Sequence, residues 1–202
     1  NRQLVHNLNR IWSDEWLDGP QNSPELRRAR ALRPVVAAAD HILDIHSTSQ
    51  PVAPFWVYPN FARNARAALA LGALGRVGTH LVMPSGLGSG TPLIQHGRHG
   101  QDGDAAGVAL VVECGQHFLR ASAELATATA LDFLAHFGLI EPAPRGVSAA
   151  PQRRFELLQT CMVHTPDFKF ARPLIGFETF AEGELIATDG DAGEIRAPCD
   201  DC

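Results

Sequence analysis

The sequence predicts an α/β fold, a sheet flanked by helices, followed by a small and incomplete β domain. Apolar runs typical of strands alternate with helical patterns up to about residue 140, an order typical of a parallel sheet covered by helices. A Pro- and Gly-rich stretch then interrupts the pattern, and only short apolar runs separated by turns follow it. We therefore expect an α/β domain over residues 1–145 and a partial β domain over residues 151–202.

Turn and capping residues delimit the elements of the predicted α/β domain. Ser23 and Pro24 are typical of a helix start, because a hydroxyl caps the first turn and proline is preorganised for it. Gly138 is expected just past the end of the last helix, where glycine readily adopts the left-handed conformation. The predicted helices are 23–40, 61–71 and 118–137; the predicted strands are 41–46, 55–58, 77–83 and 108–113, with 155–163, 176–180 and 184–188 in the β domain.

The composition excludes several classes of protein. A hydrophobic content of 45% and a charged content of 19% are globular values, and a net charge of -5 offers no basic surface to nucleic acid. No apolar run approaches the length of a membrane-spanning helix, and no secretion signal is recognisable. We expect a cytoplasmic protein that binds neither nucleic acid nor a membrane. The sequence leaves open whether the chain forms a homo-oligomer.

The four cysteines are too scattered for a disulfide framework and are expected to be reduced. Cys199 and Cys202 have C-x-x-C spacing, but a second pair is lacking. A zinc knuckle or a redox motif is therefore not favoured there.

The strongest candidate for metal binding is His46, at the end of a buried strand. Asp44 precedes it by two residues, so both side chains lie on one face of the strand, and the carboxylate can orient the imidazole. A histidine satisfied by hydrogen bonds within the core is the alternative.

A second candidate, Glu113, ends the other strong strand. If the two strands run parallel, Glu113 and His46 lie at the same edge of the sheet. A carboxylate behind five apolar residues suits a general base, although a solvated strand-end glutamate or a partner of a helix N-cap is the alternative. His117 follows as either a group that supports the site or a polar helix start.

An N-terminal cluster, Arg2 with Asn9 and Arg10, offers groups that bind carboxylates and stabilise an oxyanion. Solvated surface arginines are the alternative interpretation. Two other motifs are weaker candidates: the pair His96 and His99 lacks a predicted helix to align it, and the glycine-rich stretch 86–90 lacks the Gly-Lys-Ser/Thr ending of a phosphate loop.

Taken in order, three motifs resemble those of the succinylglutamate desuccinylase and aspartoacylase family, which has a zinc carboxypeptidase-like fold. The motifs are Arg2 with Asn9-Arg10, Asp44-Ile-His46-Ser-Thr, and Val112-Glu113-Cys-Gly-Gln-His117. The resemblance implies a Zn²⁺-dependent amidohydrolase, a deacylase that hydrolyses the amide bond of a small N-acyl amino acid such as an N-succinyl or N-acetyl amino acid.

The resemblance also implies a role for each candidate residue. His46 corresponds to the third zinc ligand and Glu113 to the general base that activates water at the metal. Arg2 corresponds to the group that polarises the scissile carbonyl, while Asn9 and Arg10 hold the substrate's carboxylate. Asp44 and His117 would hold these groups in position without contacting the zinc or the substrate themselves.

The sequence departs from the family pattern in one important respect. The family's other two zinc ligands form a His-x-x-Glu pair upstream of the arginine cluster, and no histidine here is followed three residues later by glutamate. We expect the chain to be truncated at both ends and, by itself, to bind zinc poorly and lack activity. Asn7 also stands where the family often has an acidic residue. A metallocarboxypeptidase and a metal-free binding domain of the same fold remain the alternative functions.

Overall fold

The computed structural model describes residues 3–84, 90–103, 107–143 and 151–202. Arg2 and most of the glycine-rich stretch 86–90 lie outside these residues. The described helices are α1 (Asp14–Asp18), α2 (Pro24–Ala38), α3 (Ala62–Gly72) and α4 (Arg120–His136), with 3₁₀ helices at Leu8–Arg10, Leu93–Gln95, Gly97–Gly100 and Gly190–Ala192. The described strands are β1 (Ile42–Thr48), β2 (Phe55–Pro59), β3 (Thr79–Met83), β4 (Ala109–Gln116), β5 (Arg153–Glu156), β6 (Phe168–Phe170), β7 (Leu185–Asp189) and β8 (Glu194–Arg196).

The chain divides into two compact units. The first comprises Asn1–Gln50 with Pro54–Leu158, and the second comprises Pro51–Ala53 with Gln159–Cys202. The first unit contains a five-stranded sheet in the order β1-β4-β2-β3-β5, and the second contains an antiparallel sheet in the order β6-β7-β8. The predicted fold class, an α/β sheet flanked by helices with a small β structure after it, is confirmed.

The main sheet has mostly parallel pairs, as the sequence predicts, but one antiparallel pair makes it mixed. β1 runs parallel to β4, as the site prediction requires, but β2 runs antiparallel to β4 and parallel to β3. The reason is the connection between β1 and β2, which spans only residues 49–54. That length is too short for the crossover that joins parallel strands of one sheet.

The C-terminal strands differ most from their predicted positions. The strand expected over 155–163 is the shorter β5, which pairs with β3 in the first sheet. Residues 176–180 form no strand, and Gly176 there has a φ of 106°. The strands β6 and β8 were not predicted, because three residues are too few to show an alternating pattern.

β4 is buried on both faces, which explains its continuous apolar sequence. On one face Leu110 and Val112 pack in a cluster with residues of α3 and α4. On the other face Ala109 and Val111 pack in a cluster that includes Leu26 of α2. Glu113 follows Val111 by two residues and so lies on the second of these faces. The segment that precedes β1 packs on this face and forms one wall of the candidate site.

The structure joins Cys199 and Cys202 in a disulfide, so the expectation of a reduced pair is wrong. Their Cα atoms are 5.6 Å apart, within the range that a disulfide spans. Cys114 and Cys161 are free thiols.

Among the described residues, no helix is both long enough and apolar enough to cross a bilayer.

Candidate active site

A cleft of about 460 Å³ lies at the C-terminal end of β1, in the first unit. This volume is within the range of small-molecule binding pockets. Four of the predicted site residues line the cleft together. The lining residues are Gln3, Asn7, Leu8, Asn9, Trp12, Asp44, Ile45, His46, Ser47, Leu93 and His117.

Asp44 and His46 lie side by side on one face of β1. The Nε2 atom of His46 lies 2.9 Å from the Oδ2 atom of Asp44, and the two side chains are 21% and 22% exposed. Because an ionised carboxylate only accepts hydrogen bonds, Nε2 carries the proton. In the neutral imidazole the lone pair is then on Nδ1, the arrangement that a carboxylate behind a metal-binding histidine produces.

Glu113 occupies the register position opposite His46 in the parallel pair of β1 and β4. The Oε1 atom of Glu113 lies 3.7 Å from the Nδ1 atom of His46, and the Glu113 side chain is 19% exposed. The two residues are therefore neighbours in the sheet, as predicted for parallel strands, although β1 continues past His46 to Thr48 and β4 continues past Glu113 to Gln116. A carboxylate beside the lone-pair nitrogen of an imidazole is placed to accept a proton from a group held between them.

A bulge in β4 positions His117 beside the cleft. His46 and Thr48 of β1 are opposite Glu113 and Gln116, so β4 contains one extra residue at this point. Gly115 supplies the required conformation with a φ of 102°. Bulges of this kind redirect the side chains that follow them.

Ser47 holds His117 after the bulge. The backbone N–H of His117 donates to the carbonyl of Thr48 over 2.8 Å, and the Nδ1 atom of His117 is 2.7 Å from the Oγ atom of Ser47. Sequence reasoning missed Ser47, although Gly115 within a strand pattern is a signal for a bulge nearby.

Asn9 and Arg10 belong to the 3₁₀ helix at Leu8–Arg10, and they differ in environment. Asn9 is half-buried and donates from Nδ2 to the Oδ2 atom of Asp44 over 3.3 Å. Arg10 is exposed, and its Nη1 atom donates to the carbonyl of Asn9 over 2.7 Å. The structure thus places the Asn9 amide within the hydrogen-bond network of His46, and leaves the Arg10 guanidinium at the solvent side.

Glu25 anchors the segment that leads into this helix, and sequence reasoning missed it. Its carboxylate accepts hydrogen bonds from the backbone N–H groups of Leu4, Val5 and His6, over 2.7, 3.3 and 3.4 Å. The bond from Leu4 is the largest cause that lowers the pKa of Glu25 from 4.5 to about 2. Glu25 is the first-turn acid of α2, so α2 and the wall of the cleft are linked through one side chain.

The lowered pKa of Glu25 predicts a specific loss of stability in acid. Since the folded pKa lies below the unfolded value, the stabilisation is complete above pH 4.5 and is lost as the pH falls toward 2. We expect Glu25→Gln to be less stable than the wild type at pH 7, and the difference to shrink between pH 4.5 and 2. Urea unfolding at several pH values measures this, with the exposed Glu141→Gln as control. A difference that is independent of pH would contradict the assigned hydrogen bonds.

The alternative histidine pair has a structural role. His96 and His99 are 6% and 0% exposed. The Nδ1 atom of His96 is 2.7 Å from the carbonyl oxygen of Trp12, and that of His99 is 3.4 Å from the carbonyl oxygen of Gly107. Both rings are thus engaged by the backbone inside the protein.

The described residues fit one ligand of a catalytic zinc, not a complete set. Zinc in such sites takes three protein ligands. Within residues 3–84, 90–103, 107–143 and 151–202, no group of three His, Cys, Asp or Glu side chains could hold a metal ion. His46, with Asp44 on Nε2, has the donor chemistry of a single ligand.

Comparison with solved structures identifies the fold. No protein-family model matches the chain, and no curated protein sequence matches it. The chain is similar to succinylglutamate desuccinylase from Vibrio cholerae, with a TM-score of 0.66 at 21% identity over 99% of this chain and 59% of that one. It is similar to a succinylglutamate desuccinylase/aspartoacylase from Rhodobacter sphaeroides, with a TM-score of 0.61 at 21% identity over 95% of this chain and 58% of that one. It is also similar to murine aminoacylase 3, with a TM-score of 0.63 at 17% identity over 98% of this chain and 70% of that one.

These similarities extend over nearly the whole chain, while the chain spans 59% and 58% of the lengths of the two bacterial structures. At identities this low, the similarities establish the architecture of the chain alone. The resemblance that the three sequence motifs predict is therefore confirmed in the fold: the chain folds as the succinylglutamate desuccinylase and aspartoacylase structures do.

Proposed function

We propose that the protein containing this chain is a Zn²⁺-dependent deacylase that hydrolyses the amide bond of an N-acyl amino acid. The observation that carries this proposal is the cluster of Asp44, His46 and Glu113, of which Asp44 and His46 line the cleft and Glu113 lies beside His46. Support comes from the fold, since the similar structures include a desuccinylase and an aminoacylase. His46 would hold the zinc as one ligand, and the other two would come from outside the described residues.

The residues of this chain divide the proposed chemistry between them. Bound zinc would supply polarisation of the scissile carbonyl. Glu113 accepts the proton of the attacking water and then delivers it to the departing amine, so that a carboxylate and a free amino acid leave. Asp44 keeps His46 in the Nε2-protonated form throughout. Arg10 offers an exposed guanidinium that can pair with the substrate's carboxylate, and Arg2 would stabilise the oxyanion.

The proposal is tested on the whole protein, purified and reconstituted with zinc. Metal analysis should give a stoichiometric zinc, and N-succinyl and N-acetyl amino acids should be hydrolysed in preference to peptides with free C-termini. Preferential cleavage of the peptides would instead establish a carboxypeptidase. A folded protein that binds no zinc and hydrolyses neither class would establish a binding domain.

Replacing His46 by alanine is expected to remove the zinc. Loss of an outer partner of a metal ligand costs roughly 10–100-fold in affinity, and loss of the ligand itself should cost more. We expect residues 1–202 alone to bind zinc weakly, because among the described residues His46 is not joined by two further side chains that could complete a metal site. Isothermal titration with zinc measures both effects. His136→Ala, at the exposed end of α4, is the matched control, and a His46→Ala protein that retains wild-type zinc affinity would refute the assignment.

A further inference from the structure

We propose that Asn9 is a positioning residue, which aligns the Asp44–His46 pair and ties it to the segment at Leu93. The relevance of this role to catalysis rests on the proposed function, while the contacts themselves do not. The resemblance to the deacylase family implies a substrate contact for Asn9; the geometry adds a distinct role, exerted on His46 through Asp44.

Both ends of the Asn9 amide are engaged, and their chemistry fixes the orientation of the amide. The Oδ1 atom accepts a hydrogen bond from the backbone N–H of Leu93 over 2.8 Å. The Nδ2 atom donates to the Oδ2 atom of Asp44 over 3.3 Å. A backbone N–H only donates and a carboxylate only accepts, so the flipped amide would lose both bonds.

The action of Asn9 on His46 passes through the carboxylate. The Nδ2 atom of Asn9 is also 3.5 Å from the Nε2 atom of His46. With the proton of His46 on Nε2, beside the Asp44 carboxylate, these two nitrogens are both donors, and the shared partner between them is the carboxylate. The Oδ2 atom of Asp44 therefore accepts from Asn9 and lies 2.9 Å from the Nε2 atom of His46.

Asn9 itself is held rigidly enough for this task. Its backbone N–H donates to the Oδ1 atom of Asn7 over 3.0 Å, which caps the 3₁₀ helix. Leu93 begins the next 3₁₀ helix, 84 residues further along the chain. Asn9 therefore joins three segments: the N-terminal 3₁₀ helix, the start of the Leu93–Gln95 helix and β1.

Two substitutions separate the two halves of this network. Asn9→Asp keeps an oxygen for Leu93 but replaces the donor to Asp44 with a second carboxylate. Asn9→Ala removes both bonds. Asn22→Ala is the matched control, because the exposed Oδ1 atom of Asn22 accepts a single bond from Arg27.

The measurements are made on the whole protein labelled with ¹⁵N at leucine and in the histidine rings, without added zinc or substrate. We expect the Leu93 amide to exchange about tenfold faster in Asn9→Ala, the equivalent of one hydrogen bond, and at nearly the wild-type rate in Asn9→Asp. The His46 ring should show the Nε2-protonated tautomer alone in the wild type, and a mixture of tautomers in Asn9→Ala. The control should match the wild type in both.

These readouts distinguish positioning from substrate contact and from general loss of structure. If Asn9→Ala leaves the Leu93 exchange rate and the His46 tautomer unchanged, the proposal is overturned, whether or not the protein is an enzyme. Where the protein hydrolyses its substrate, Asn9→Asp should lower kcat with little change in KM. A rise in KM alone would assign Asn9 to the substrate's carboxylate only, and would also overturn the proposal.

Discussion

Glu113→Gln is expected to lower kcat of the whole, zinc-loaded protein by about 10²–10⁴-fold, the usual contribution of a general acid–base group. The amide of glutamine keeps the size of the side chain but cannot accept the proton of the attacking water. His46, whose Nδ1 atom lies 3.7 Å from the Oε1 atom of Glu113, is unchanged in this variant. The zinc content should therefore remain stoichiometric. Steady-state kinetics on an N-acyl amino acid, together with metal analysis, measure the two quantities.

Glu124→Gln is the control for this substitution. Glu124 lies on α4 and pairs with Arg120 four residues earlier, and both side chains are exposed. Exposed pairs of this type contribute little, so turnover should stay near the wild-type value. If Glu113→Gln retained full turnover in a zinc-loaded protein, the proton transfer assigned to Glu113 would be wrong.

The second large effect is expected on stability, from Leu26→Ala. Leu26 is 0% exposed and packs in the cluster that covers the site face of β4. Removing its side chain should cost about 2–5 kcal/mol in the free energy of unfolding, since a buried cavity adds to the lost transfer energy. Urea denaturation measures the loss, and because α2 carries Glu25, the cleft should be perturbed as well.

Val35→Ala provides a matched control on the same helix. Val35 is 66% exposed, and alanine has the higher helix propensity. We expect a change of no more than about 0.5 kcal/mol in either direction. Equal losses at both positions would show that the effect of Leu26 comes from the helix itself and not from the cluster beneath it.

Local signals predicted most of the α/β unit. Ser23 caps α2 as expected, with its Oγ atom accepting from the N–H of Leu26 over 3.1 Å. Gly138 has a φ of 72° just past the end of α4, as a C-terminal glycine should. Each of these signals acts within one turn of helix, so neighbouring residues suffice to read it.

The candidate site was predictable only in part. The two apolar runs that end in His46 and Glu113 predicted two buried strands, and β1 and β4 place those residues in register. The short connection after β1 limits the direction of β2, but the position of β2 beside β4 was missed, because strand order depends on pairings between distant segments. The positions of Ser47 and Glu25 were missed for the same reason: their partners lie 70 and 19 to 21 residues away.

By itself, the sequence determined the fold class, the strands that carry His46 and Glu113, and the motif order that resembles a deacylase family. Periodicity and residue type carry that information, because burial of apolar side chains imposes them locally. Only the tertiary structure decided that Nε2 of His46 faces Asp44, that a bulge turns His117 toward Ser47, and that the Asn9 amide joins Leu93 to Asp44. Hydrogen bonds between segments far apart in sequence leave no periodic signal, so their partners appear only when the chain is folded.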